Sequence, residues 1–135
     1  MLEKYIKKDY FYFVFRLLVG LLFLQHGLQK LFGAFGGLGG SGQGVELFSL
    51  MGLAGTIEFF GAILIILGLF TRLVAGIAAL ELTTAYFMAH LPNGFIPLLN
   101  QGEPALLFIA SFLVLIAYGA GNWSLGKLIF KKELF

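Results

Sequence analysis

The chain has no cysteine, three prolines and a charged fraction of 12%. Without cysteine there is no disulfide framework, no CxxC redox pair, no iron–sulfur ligation and no thiolate metal site. The prolines, Pro92, Pro97 and Pro104, all fall in one short stretch, so the rest of the chain carries no residue that must break a helix. The formal net charge of +2 is too small to suggest nucleic acid, and no basic patch alternates with stacking aromatics. P-loop, HExxH and GxSxG patterns are missing. The apolar stretches lack the period-two alternation of membrane strands, and four strands could not close a barrel.

What remains is apolar. Hydrophobic residues make up 59% of the 135, against roughly 45–50% in a soluble domain. Four long apolar segments, 11–32, 49–70, 73–90 and 104–121, each lie near the ~20 residues that cross a ~30 Å hydrocarbon core. Thr71 and Arg72 read as a tight turn, and Pro104 suits a first helical position. The first segment is too long for a signal h-region and has no A-x-A cleavage site, so it reads as a retained helix. The sequence therefore predicts a single membrane domain over 1–135, an all-α, antiparallel bundle of four transmembrane helices. Small residues such as Gly55, Gly61, Gly68 and Ala75 would let the helices approach closely. Lys4, Lys7, Lys8, Arg72, Lys127, Lys131 and Lys132 fall on one side, and Lys30 alone lies near the other. The positive-inside rule places both termini in the cytoplasm of a cell whose plasma membrane holds the chain. The tail after 121 reads as an interfacial amphipathic piece.

Charged residues inside such segments are costly and tend to mark function. His26 and Lys30 share a helix face, being four apart. Counting along the helices puts Glu58 at a compatible depth, with His90, Asn100 and Glu103 at the same end. These six residues are expected to converge on a ligand-binding, proton-handling pocket in the outer half of the bundle. Arg16 and Glu81 are expected nearer the inner half, as a structural ion pair that cancels two buried charges. Arg72 reads as an orientation signal and helix-end partner. The Gly-rich stretch 33–46 matches GxGxxG at Gly37, Gly39 and Gly42 through composition alone; it reads as a flexible linker, with a cover over the pocket as the sharper alternative. No metal site is expected, nor haem ligation by His26 and His90.

Arg16, FLQHGLQKLFG (23–33), GTIEFFGAILIILGLFTRLVA (55–75), His90, NQGEPALL (100–107) and GAGNWSL (119–125) occur in that order. Together they resemble the DoxX family of small four-helix membrane proteins, over almost the whole chain. Gly126 departs from the pattern, in which Asp often follows the Ser-Leu. The resemblance implies a four-helix bundle in the cytoplasmic membrane with a link to membrane redox chemistry. Related DoxD-type subunits are associated with thiosulfate:quinone oxidoreductase.

On this basis the expected function is that of a redox-associated subunit binding a quinone-like molecule. His26 and Lys30 would donate or shuttle protons, and Glu58 and Glu103 would orient or accept them. Phe23 and Phe59 could pack on the ring. An enzymatic role would call for a redox partner protein or a homo-oligomer. A small-solute transporter and a non-catalytic membrane scaffold for partner enzymes are the alternatives.

Overall fold

The computed structural model describes residues 7–135, so Lys4 lies outside the described residues. These residues fold into helices and turns: α1 (Lys8–Phe32), α2 (Leu50–Leu67), α3 (Thr71–Ala85), a short α4 (Pro97–Asn100), α5 (Glu103–Tyr118) and a short α6 (Leu125–Phe130). A π-helical turn, Tyr86–His90, and a 3-10 turn, Leu91–Asn93, extend α3. With them the third apolar helix runs Thr71–Asn93, and it, α1 and α2 are long and apolar enough to cross a membrane. The fourth apolar helix, α5, is shorter, at 16 residues. It spans about 24 Å at 1.5 Å per residue.

Two glycines set the ends of the first helices. Gly33 takes a left-handed backbone (φ 69°) and its N–H donates to the Gln29 carbonyl, closing α1. Gly68 (φ 70°) closes α2: its N–H donates to Ile65 and the Leu69 N–H to Leu64. That double bond pattern is a Schellman stop, which a residue with a Cβ would resist. The turn between α2 and α3 is therefore Gly68–Phe70, not Thr71–Arg72, and Thr71 is already helical.

α1 packs chiefly on α2, and α3 on α5. The α1–α2 crossing is antiparallel and close. A Cβ on Gly27 would stand 2.5 Å from the Phe59 nitrogen, and one on Gly20 would stand 2.6 Å from Ile66 Cγ1. Val19, Phe23, Ala62, Ile65, Ala75, Ala78, Phe112 and Leu115 fill the centre. Around it, large apolar side chains such as Leu18, Leu22, Leu80, Leu107 and Leu113 are exposed on the outside. That inversion is what a lipid solvent asks of a helix surface.

The end of the bundle holding Arg16 is tied by polar contacts. Arg16, 1% exposed, donates to the carbonyls of Ala120 and, at 2.8 Å, Trp123. Arg72 donates to the last carbonyls of α5, Ile116 (2.5 Å) and Ala117 (2.8 Å), and faces Glu133 at 3.5 Å. A cation at a helix C-terminus meets unpaired carbonyls and the negative end of the dipole, so Arg72 acts as the helix-end partner expected of it. Glu133 in turn accepts from the Ala120 N–H at 2.8 Å, which folds the tail back. Gly126 is buried against the Gly68 carbonyl, where a Cβ would stand 2.9 Å from the oxygen.

Candidate functional site

The other end of the bundle encloses a cavity of about 630 Å³. The close α1–α2 crossing builds its polar corner. Gly27 brings the two backbones together, and Gly55 leaves room for the Lys30 stem, since a Cβ on Gly55 would stand 2.9 Å from Lys30 Cβ. Lys30 Nζ thereby reaches both oxygens of Glu58, each at 2.7 Å. Glu58 is 1% exposed, and the Lys30 side chain is partly buried beside it at 13%.

His26, one turn before Lys30, also lines the cavity and meets the Phe108 ring edge-on at 5.6 Å. Phe23 and Phe108, with centroids 5.7 Å apart, form an aromatic wall. His90 reaches the cavity from the π turn. Its Nδ1–H donates to the Asn100 carbonyl at 3.1 Å, and Tyr86 stacks on its ring. Four of the six residues expected together, His26, Lys30, Glu58 and His90, thus line one cavity.

Asn100 and Glu103 do not line it. Asn100 is buried, but its side chain is spent on the connection between α3 and α5. Its amide N donates to the Gly94 carbonyl (2.8 Å), and its Oδ1 accepts from the Gly102 N–H (2.8 Å). Glu103 is exposed in the first turn of α5, where the helix dipole favours an acid. Phe59 also stands apart from the cavity, packed on Phe32 and Phe60.

The expected Arg16–Glu81 ion pair does not form. Arg16 serves backbone carbonyls at the far end, while Glu81 lines the cavity beside the Lys30–Glu58 pair. Helix rise explains the difference. Counted at 1.5 Å per residue from Leu50, His90 and Phe32 at the cavity end, Glu58 and Glu81 lie about 12 and 14 Å deep, and Arg16 about 24 Å. Glu81 Oε2 is buried and has no hydrogen-bond partner.

Phe108 and Gln101 also belong to the site and were not anticipated. Phe108 lies four and eight residues before Phe112 and Ile116, on the stripe of α5 that packs on the core. That periodicity is its only sequence signal. The Gly-rich stretch folds back onto α1: Val45 N–H donates to the Lys30 carbonyl at 2.7 Å, and Leu38 lines the cavity.

A family model described as DoxX matches residues 11–91, which run from α1 through the π turn to the start of the 3-10 turn. A protein of Haemophilus influenzae described as uncharacterized is 41% identical over 138 residues, covering 97% of this chain and 98% of that one. No solved structure matches the chain.

Proposed function

The chain belongs to the DoxX family, and from that footing we propose that it is a redox-associated subunit that binds a quinone-like molecule in this membrane cavity. The observation that carries the reading is the cavity's composition: mostly apolar walls that also carry His26, Lys30, Glu58, Glu81 and His90. Its volume suits a small organic ligand, which sites of roughly 300–1,000 Å³ hold. A quinone carbonyl needs hydrogen-bond donors, which Lys30 and His26 supply. Its reduction needs protons, which Glu58 and Glu81 would handle. Phe23 and Phe108 would flank the ring. The chain has no cysteine to hold a cluster, so electrons would come from a bound molecule or a partner protein. The basic Arg72 end and both termini would face the cytoplasm.

Titration of a quinone into the purified protein tests this. Glu58→Gln and His26→Ala should each weaken binding while the bundle stays folded. Unchanged binding in both variants sinks the reading.

A small-solute carrier is the second reading. The π turn at Tyr86–His90 favours it, because it changes the pitch of the continuous third helix beside the cavity, and π turns inside helices are frequent at functional sites. Uptake into proteoliposomes, lost on Glu58 substitution, would support it over the redox reading.

A further inference from the structure

α2 and α3 touch near their shared turn, where a Cβ on Gly61 would stand 3.2 Å from Val74 Cγ1. Farther from that turn the cavity stands between them. Leu50 and Leu53 of α2 and Ile77 and Leu80 of α3 all line it, and all are also exposed on the outer surface, Leu53 at 56% and Leu80 at 70%. Residues that face a cavity and the outside at once mark an opening. This opening runs along two apolar helix stripes, so it faces hydrocarbon. At its inner side Glu81 holds a buried oxygen with no donor.

We infer that the cavity takes its ligand sideways from the bilayer through the slot between α2 and α3, and that this ligand is a long-tailed amphiphile whose head donates an O–H to Glu81. The inference deepens the reading of the cavity as a ligand site. The tail lies between the Leu50–Leu53 and Ile77–Leu80 stripes, and the head reaches the polar corner. Lipid and slot are equally apolar, so the tail adds little affinity of its own. It supplies concentration in the membrane and position in the slot. Discrimination falls to the head, because a carboxylate oxygen out of water gains most from a donor. Among quinone-type molecules, the reduced form with its hydroxyls meets that demand.

The test is one of location. Three probes share one alkyl tail with a diazirine near its end: a quinol, a plain alkyl alcohol, and the alcohol's methyl ether, which has no O–H. Each is photolysed with the full chain in phosphatidylethanolamine/phosphatidylglycerol nanodiscs, and labelled peptides are mapped by mass spectrometry. The quinol and the alcohol should label the Leu50–Leu53 and Ile77–Leu80 stripes about tenfold more than the ether, the order of one hydrogen bond to a charged group. Glu81→Leu should abolish that excess, and Glu81→Gln, which keeps an acceptor, should retain part of it. Equal labelling by alcohol and ether overturns the inference. So does protection of the slot by a second copy of the chain. An excess for the alcohol without one for the quinol would sink the quinone reading and leave this one standing.

Discussion

Gly27 lies so close to Phe59 that a Cβ on the glycine would stand 2.5 Å from the Phe59 backbone nitrogen. That contact holds α1 against α2 one turn from Lys30 and one residue from Glu58, so it sets the geometry of the charged pair. Backbone cannot yield as a flexible side chain does. Gly27→Leu should force the helices apart and destabilise the bundle by about 3 kcal/mol, the upper part of the usual range for overpacking. Gly76 is the control, since nothing lies within 4 Å of a Cβ there. Gly76→Ala should be neutral or stabilise by about 0.5–1 kcal/mol through backbone entropy. Thermal unfolding of both variants in one detergent checks the pair.

Lys30 and Glu58 test whether a buried ion pair stabilises or only balances itself. Removing one partner leaves the other charge uncompensated, so Glu58→Ala should cost about 3 kcal/mol. Replacing both with apolar residues of similar volume, Lys30→Met with Glu58→Leu, should recover most of that loss. Ligand binding should fail in the double variant even though stability returns. A double variant no more stable than Glu58→Ala would show that the pair holds the helices together in its own right. Unfolding curves for the wild type, Glu58→Ala and the double variant decide the matter.

Arg16 spans two carbonyls that a lysine cannot reach together. Its planar guanidinium serves Ala120 and Trp123 at once. An ammonium is a point donor on a flexible stem and has no planar fork. Arg16→Lys should free the 119–124 segment and lower stability by about 2 kcal/mol, near the value of one hydrogen bond from a charged group. Limited proteolysis should then cut between α5 and α6 first. An unchanged cleavage pattern would mean that the Tyr12 and Glu133 contacts to Gly119 and Ala120 suffice without Arg16.

The apolar runs were legible in the sequence, because lipid imposes length, whereas the left-handed stop at Gly68 falls before the turn expected at Thr71–Arg72. The Lys30–Glu58 depth match was legible from helix rise alone. The same arithmetic applied to Glu81 places it beside Glu58. The expectation of an Arg16–Glu81 pair followed charge balance in place of depth. Asn100 was harder to read, since a polar residue near a helix start can serve a pocket or a turn, and only the folded Gly94–Gly102 connection distinguishes them. The π turn carries no sequence signature here, having neither proline nor glycine within Tyr86–His90.

The absence of cysteine makes the orientation directly measurable. Lys7, Lys8, Arg72, Lys127, Lys131 and Lys132 belong to segments at the Arg16 end, while Lys30 lies at the cavity end and is neutralised by Glu58. Arg72 is likewise paired, with Glu133, and the positive-inside bias counts Lys and Arg whatever their acidic partners, so the asymmetry is the one the sequence shows. Translocating that end would oppose the bias that sets topology. Ser41 and Lys132 are both exposed and sit at opposite ends of the bundle, on the loop after α1 and on the tail after α6. In intact cells a membrane-impermeant maleimide should label Ser41→Cys and leave Lys132→Cys untouched until the cells are lysed. The reverse pattern would place the cavity at the cytoplasmic face, and a ligand head entering it would then meet cytoplasmic protons.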